Sequence, residues 1–112
     1  NKAIKQFIKK KQKSLVGVVK MKEHPRECVN FSNKKWTYLI KSKKKFFRRQ
    51  EYESNYYFID GSFYLAKTSF LIKYNSFIVE NNSSMYRFDQ RFSLDIDDLS
   101  DLKIARLLLT KK

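Results

Sequence analysis

The amino-acid sequence predicts an α/β fold, and two adjacent segments carry this prediction. Residues 1–13 place Ile4, Phe7 and Ile8 at the spacing of an amphipathic helix whose opposite face is basic, which suits either a sheet or a membrane surface. Ser14–Lys20 follows as a short β-branched apolar run, typical of a buried strand. A helix followed closely by such a strand indicates an α/β sheet, with Ser14–Lys20 as its central strand.

Length and composition restrict the class of protein. The 112 residues allow one compact domain or part of a larger one. The chain is 42% apolar and 16% aromatic, which is enough for a core and argues against intrinsic disorder. No uncharged run exceeds six residues, whereas a membrane-spanning helix needs about 20 apolar residues. The first residues lead into no secretory signal, so we expect a soluble, cytoplasmic protein without a membrane partner.

Cysteine and histidine content excludes two kinds of stabilising site. Cys28 is the only cysteine and His24 the only histidine, so neither an internal disulfide nor a four-ligand zinc site can form from them. His24 has no Ser, Cys or acid at a catalytic spacing, which favours a structural or substrate-edge role.

The excess positive charge lies in the first half of the chain. Residues 1–50 carry 17 basic and 2 acidic side chains, whereas residues 51–112 carry 8 and 9. This excess of basic side chains either keeps the protein soluble or forms a binding surface for nucleic acid, anionic lipid or a polyanionic substrate. Charge alone does not choose among these.

The middle of the chain predicts an excursion from the sheet. Pro25 follows the first strand, Trp36–Ile40 has the pattern of another strand, and Lys41–Arg49 is a basic run interrupted by Phe46 and Phe47. We expect a hairpin that leaves the body of the domain, with no internal repeat or linker around it.

Tyr56–Ala66 is strongly strand-forming, with Asp60-Gly61 at its centre. A glycine inside a strand indicates a bulge or a close backbone approach, for which a ligand is one candidate. The elements expected after it are a helix at Lys67–Tyr74, a strand at Phe77–Glu80, a turn at Asn81–Ser84, a strand at Arg91–Asp97 and a helix at Asp98–Leu109, with Leu102, Ala105, Leu108 and Leu109 on one face. This order fits one half of a mixed sheet.

Asp95 and Asp97 are the first candidate site residues. On a strand, residues i and i+2 point to the same face, so the two carboxylates would converge. Their mutual repulsion favours a bound cation, and hard oxygen ligands suit Mg²⁺. The alternative is a helix N-terminal cap, because Asp98 and Asp101 follow closely.

Two further features are candidates for substrate binding. Arg48-Arg49-Gln50 offers guanidinium groups that suit carboxylate or phosphate, although adjacent arginines also occur on solvated edges. Tyr64 follows Gly61 by three residues and, taken alone, suits the core. The sequence contains no glycine-rich phosphate loop, zinc spacing or RNA-recognition signature.

In this order, the motifs resemble those of the acylneuraminate cytidylyltransferases, the CMP-sialic acid synthetases. The resemblance covers about 90 residues and rests on four motifs: Ser14–Lys20 with Glu23-His24-Pro25, Arg48-Arg49-Gln50, Asp60–Lys67, and Ser93–Asp97 with Asp101 and Ile104-Ala105.

The resemblance implies an enzyme of nucleotide-sugar synthesis. The family joins a nonulosonic acid, such as N-acetylneuraminic, legionaminic or pseudaminic acid, to CTP and releases pyrophosphate. It implies the C-terminal half of a Rossmann-like nucleotidyltransferase domain, a mixed β-sheet and a protruding segment, about residues 26–54, that mediates a homodimer. The family's N-terminal CTP-binding half is not in this sequence, so we expect residues 1–112 alone to be inactive and activity to belong to a longer parent.

The resemblance also assigns roles to individual residues. Asp95 and Asp97 match the family's Mg²⁺-binding aspartates and are the predicted catalytic residues. Arg49, Gln50 and Tyr64 match substrate-binding positions near the sugar.

This chain departs from the family at two places. Asp60 stands where the strand motif usually has Asn. Glu27 stands where many members have a lysine, with Arg26 beside it as a candidate substitute.

The sequence allows two other hypotheses about function. A basic nucleic-acid-binding module would use Lys41–Arg49 and its aromatics, and its affinity would fall steeply with salt. It gives no reason for Asp95, Asp97 or the ordered motifs, so we expect no nucleic-acid partner. A purely structural dimerisation module would explain the hairpin and leave the acids as a cap.

Overall fold

A computed structural model of the chain describes residues 1–41, 55–89 and 93–110. They form two compact units. The sheet unit comprises Asn1–Val19 and Ile59–Lys112, and the hairpin unit comprises Lys20–Phe58. The described elements, in chain order, are α1 (Lys2–Lys9), β1 (Ser14–Lys20), a 3₁₀ turn (Pro25–Glu27), β2 (Val29–Ser32), β3 (Lys35–Tyr38), β4 (Tyr57–Ala66), α2 (Thr68–Tyr74), β5 (Ser84–Arg87) and α3 (Leu99–Thr110). The mixed α/β class predicted from sequence is confirmed.

The core is built around β1, the central strand of a three-stranded sheet in the order β4-β1-β5. Every residue from Ser14 to Val19 is buried, so both faces of the strand are covered. β1 pairs in parallel with β5, from Leu15 opposite Ser84 to Val18 opposite Arg87. The predicted bounds and central position of β1 are therefore confirmed.

β4 runs antiparallel to β1 and contains the predicted bulge. Its ends are fixed by hydrogen bonds from Lys67 N to Lys13 O (2.9 Å) and from Met21 N to Tyr56 O (3.2 Å). Eight residue steps separate Lys13 from Met21, whereas eleven separate Tyr56 from Lys67, so β4 carries extra residues. Gly61 has φ 77°. No atom lies within 4 Å of a Cβ built there, so its conformation, and not protein crowding, requires glycine.

Gly17 has the opposite reason for being glycine. A Cβ built on it would lie 2.6 Å from Ser62 Oγ and 3.0 Å from a ring carbon of each of Phe63 and Phe88. The Phe63 and Phe88 rings stack at 6.4 Å, and Phe63 also meets Tyr86 edge-on at 5.8 Å. The missing side chain on β1 gives these aromatics room to pack.

The helices of the sheet unit form close to where the sequence predicts them. α1 leaves Ile4 and Ile8 exposed. α2 buries Phe70 against the core and ends at Asn75, whose left-handed conformation (φ 48°) closes the helix. α3 half-buries Leu102 and Ala105, whereas Leu108 and Leu109 of its predicted apolar face are exposed.

The predicted strand at Phe77–Glu80 and the turn boundary after it are wrong. These residues form no strand, and β5 begins at Ser84 instead. The reason is local hydrogen bonding. Phe77 O accepts from the Ser14 and Ser83 hydroxyls, Val79 N donates to Ser83 Oγ (2.9 Å), and Val79 O accepts from the amides of Asn82 and Ser83. The backbone groups that a strand would pair are satisfied within this turn.

The predicted strand before α3 is also absent over its described part, Ser93–Asp97. Arg91 and Phe92 lie outside the described residues. The amide of Asp97 donates to a side chain of α3, Asp101 Oδ2 (3.1 Å), and not to a neighbouring strand. Apolar alternation in this stretch is therefore not matched by sheet pairing.

The hairpin unit contains the antiparallel pair β2–β3, joined by Asn33 and Lys34. Both turn residues have positive φ, 48° and 66°, as a two-residue type I′ turn requires. Trp36 lies in a strand as predicted, but its partner β2 precedes it in the chain. The basic run predicted to follow lies, beyond Lys41, outside the described residues. The expected dimerisation segment, about residues 26–54, falls within this unit.

The described helices include none with the length and apolar content required to cross a membrane.

Candidate functional site

A cluster of three side chains lies at the bulge of β4. Asp60 Oδ1 accepts hydrogen bonds from Ser62 N (3.2 Å) and Ser62 Oγ (2.9 Å), which is the pattern of an Asx turn. Asp60 Oδ2 accepts from Ser93 Oγ at 2.7 Å. We call Asp60, Ser62 and Ser93 the Asp60 cluster. It joins the strand motif that contains Gly61 to the acidic motif that begins at Ser93.

The Asp60 cluster is also anchored to the buried central strand. Ser62 Oγ stands 2.6 Å from where a Cβ of Gly17 would lie, so the hydroxyl sits against the bare backbone of β1. Segments from three of the four motifs in the resemblance thus meet within the sheet unit. The fourth, Arg48-Arg49-Gln50, lies outside the described residues, so Arg49 and Gln50 stay predictions.

The acidic segment Ser93–Asp98 leads from this cluster into α3. Asp95 and Asp97 are both exposed. Since they lie on no strand, the i, i+2 argument for convergence of their carboxylates does not apply. Their assignment as catalytic, Mg²⁺-binding residues stays a prediction.

The helix cap considered as the alternative for these acids is present, and it is formed by Asp98 and Asp101. Asp98 Oδ1 accepts from Ser100 N (2.7 Å) and Asp101 N (2.9 Å), while Asp101 Oδ2 accepts from Asp97 N and Asp98 N, both at 3.1 Å. This reciprocal arrangement is a capping box. The hydrogen bond from the Asp101 amide, followed by that from the Ser100 amide, lowers the pKa of Asp98 below its ordinary 3.8.

The cap leaves the side chains of Asp95 and Asp97 out of its hydrogen bonds. Only the backbone amide of Asp97 takes part. Within residues 1–41, 55–89 and 93–110, no group of three or more His, Cys, Asp or Glu side chains stands close enough to hold a metal ion. Two carboxylates are still compatible with Mg²⁺, which is commonly held by one or two carboxylates together with substrate phosphates and water.

Tyr64 lies on β4 beyond the bulge and is 41% exposed. Its ring is tilted by 52° against that of Phe77, with the centroids 5.7 Å apart. The exposed part of the ring is available for contact with a ligand, so the core role suggested by its sequence alone is not what the structure shows.

Arg26 and His24 belong to the hairpin unit. Pro25–Glu27 forms a 3₁₀ turn in which the amide of Arg26 donates to His24 Nδ1 at 3.1 Å. The imidazole also meets the Tyr56 ring edge-on at 5.0 Å. His24 is therefore a structural cap of this turn, which agrees with the first of the two roles expected for it, structural or substrate-edge. Arg26 is half-buried.

The hairpin unit presents an apolar face. The β2–β3 register places four exposed side chains on one face of the hairpin: Val29, Phe31, Trp36 and Tyr38. Together with Arg26 and Glu27 they line a shallow groove of about 420 Å³. Trp36 and Tyr38 meet edge-on at 5.2 Å.

Sequence reasoning missed Ser62 and Ser93 as partners of Asp60. The Asp60-Gly61-Ser62 order is a detectable Asx-turn signal, because Asp often bonds the backbone two residues on. The Ser93 contact joins residues 33 positions apart and has no local signal.

No protein-family model matches the chain, and a search of curated proteins finds no match.

Proposed function

We propose that the chain is the C-terminal part of a cytidylyltransferase that activates a nonulosonic acid with CTP, giving the CMP-sugar and pyrophosphate. The hydrogen bond between Asp60 and Ser93 carries the proposal, because it brings together two motifs of the resemblance that are 33 residues apart. The buried β1 motif meets the same cluster through Gly17 and Ser62. These contacts support the proposal because they place segments of three motifs side by side within the sheet unit.

Each candidate residue has a role in this proposal. Asp95 and Asp97 are exposed carboxylates that would hold Mg²⁺, and the ion would neutralise the charge on the CTP phosphates. Tyr64 would contact the sugar. Arg49, Gln50 and Arg26 offer guanidinium and amide groups that suit the sugar carboxylate or a phosphate. The protein's main contribution would be to position two anionic substrates.

The chain alone is expected to be inactive. Its sequence carries no glycine-rich loop to hold the phosphates of CTP. Under this proposal, binding and aligning CTP would fall to another part of a longer parent protein. CMP-sugar formation by residues 1–112 without any partner would contradict this expectation.

The decisive assay is Mg²⁺-dependent pyrophosphate release from CTP by the longest available parent protein. N-acetylneuraminic, legionaminic and pseudaminic acids are offered in parallel. Asp95→Ala and Asp97→Ala are expected to abolish release. Asp98→Asn is the matched control, because it removes a neighbouring carboxylate charge but keeps a capping side chain.

The outcomes of this assay decide whether the parent protein has cytidylyltransferase activity. Release with one sugar, lost in the two alanine variants and kept in the control, supports both the enzyme class and the metal assignment. Absence of release with every sugar, from a folded parent, would reject the proposed activity.

The proposal includes a homodimer formed through the hairpin unit. A two-stranded hairpin is marginally stable alone in water, and this one exposes four apolar side chains on one face. A second copy of the same face would cover them in an isologous contact. Sedimentation of the chain over a concentration series tests this, with Phe31→Ser and Trp36→Ser expected to leave a monomer and Thr37→Ser, on the opposite face, expected to have no effect.

The same face favours a second candidate function, binding of single-stranded nucleic acid. Phe31 and Trp36 are 73% and 53% exposed, and the lysines of the turn and strand, Lys34 and Lys35, adjoin them. Exposed aromatics stack on bases at about 1–3 kcal/mol per base, and lysines bind phosphates. Oligonucleotide binding that weakens steeply with salt and is lost in Trp36→Ser would support this candidate. Salt-independent self-association would support the dimer instead.

A further inference from the structure

We propose that Asp60 is a positioning residue that tethers the acidic segment Ser93–Asp97 to the bulge of β4, and so fixes where the carboxylates of Asp95 and Asp97 stand. What the segment does rests on the proposed function. How the segment is held rests on the geometry of the described residues alone.

Both oxygens of the Asp60 carboxylate accept hydrogen bonds from other residues of the chain. Oδ1 accepts from Ser62 in the local turn, whereas Oδ2 accepts from the distant Ser93. The 2.7 Å distance to Ser93 Oγ is typical of a hydroxyl donating to a carboxylate. Both oxygens face donors here, which gives a physical reason for an acid at this position.

The tether connects a rigid element to an irregular one. On one side, Ser62 sits against the backbone of β1 at Gly17, which is buried. On the other side, Ser93 opens a segment without helix or strand. The far end of that segment is fixed by Asp101, which accepts from the amides of Asp97 and Asp98. Asp95 lies between the two fixed points.

The two halves of the cluster can be separated by mutation. Ser93→Ala removes the donor to Oδ2 and leaves the Asx turn at Ser62 intact. Ser62→Ala removes one donor to Oδ1 and leaves the tether intact. The second variant is therefore a matched control for the first, and neither removes the Asp60 charge. Asp60→Ala removes both contacts.

The experiment measures backbone order by ¹⁵N relaxation in the 112-residue chain. In the native chain the amides of Leu94–Ile96 are expected to have order parameters near those of rigid backbone, roughly 0.85, falling below about 0.6 in Ser93→Ala and Asp60→Ala. Ser62→Ala is expected to leave them unchanged. The double variant Asp60→Ala/Ser93→Ala is expected to add no further loss beyond Asp60→Ala, because Asp60→Ala already removes the contact that Ser93→Ala removes.

Order that is unchanged in Ser93→Ala would overturn the proposal. So would an equal loss of order in Ser62→Ala, because the effect would then be one of general destabilisation. If Asp60→Ala does not fold, Ser93→Ala decides alone, because it touches only the tether.

Manganese ion, added alone as a paramagnetic probe, separates this proposal from the proposed function. Broadening of the Asp95–Asp97 amides at low Mn²⁺ is expected in the native chain. The apparent affinity should fall by about tenfold in Ser93→Ala but not in Ser62→Ala, because outer-shell groups orient metal ligands. If no variant shows broadening, the metal assignment is rejected. The relaxation experiment would still show whether Asp60 holds the acidic segment in place.

Discussion

Replacing Gly17 by alanine tests how closely β4 and the segment after β5 pack across the central strand. A glycine-to-alanine change inside a strand ordinarily stabilises a protein by about 0.5–1 kcal/mol, because glycine loses more conformational freedom on folding. At Gly17 the added methyl carbon would lie 2.6 Å from Ser62 Oγ and 3.0 Å from ring carbons of Phe63 and Phe88. These distances are well inside van der Waals contact, so the neighbours must move.

The cost of that movement sets the sign of the effect. Overpacking a filled core costs about 1–3 kcal/mol. Ser62 cannot yield freely because its hydroxyl is bonded to Asp60 at 2.9 Å, and the two rings are stacked on each other at 6.4 Å. Subtracting the gain in backbone entropy leaves a net loss of about 0–2.5 kcal/mol in the free energy of unfolding.

The assay is urea unfolding followed by far-UV circular dichroism at 222 nm. This signal reports α1, α2 and α3, all of which belong to the sheet unit, whereas Trp36 fluorescence reports the hairpin unit. A lower midpoint with an unchanged slope is expected for Gly17→Ala. Adding Ser62→Ala should recover part of the loss, about 0.5–1 kcal/mol, because the closest contact is removed. A stabilised Gly17→Ala would refute the packing that places Ser62 against β1.

Three other perturbations test separate features. Gly61→Ala should lower the free energy of unfolding by about 1–2 kcal/mol through left-handed backbone strain alone, since no atom crowds a Cβ at this position. Gly61→Asn should lower it less, because asparagine tolerates the left-handed conformation better. Equal losses of stability for the two variants in urea unfolding would contradict this. Asp98 has a lowered pKa, so its charged form stabilises the folded α3 above pH 3.8 and this contribution disappears as the pH falls through the folded-state value. The fall in helical dichroism at low pH should be smaller in Asp98→Asn. Lys34→Gly should stabilise the hairpin by about 0.5–1 kcal/mol, because Lys34 has φ 66° and glycine adopts a positive φ without strain. Denaturation followed by Trp36 fluorescence measures this change. An unchanged stability would argue against the type I′ turn.

The local residue pattern was sufficient to predict an element where the segment's own hydrophobic pattern favours one kind of secondary structure. The β-branched run at Ser14–Lys20 favours a strand covered on both faces, and its predicted bounds agree with the structure. Asp60-Gly61 inside a strong strand predicted a bulge or a close backbone approach, and of the two the structure shows extra residues in β4 and a left-handed Gly61 that no atom crowds.

Local pattern failed where side chains compete with backbone pairing. Serines around Phe77–Glu80 satisfy the backbone groups that a strand would use, and β5 starts later, at Ser84. Asp101 takes the amide of Asp97 in the same way. An alternating apolar pattern cannot reveal such competition, because it records which side chains prefer burial and says nothing of which backbone groups are already bonded.

The sequence by itself determined the α/β class, the central strand, the helices and the irregularity at Gly61, since these follow from short-range periodicity and from the conformational limits of glycine. Only the tertiary structure decided that Asp60 meets Ser93 and that Gly17 makes room for two aromatic rings. The physical reason is distance along the chain. Contacts between residues 33 or more positions apart depend on how whole elements pack, and no local preference specifies them.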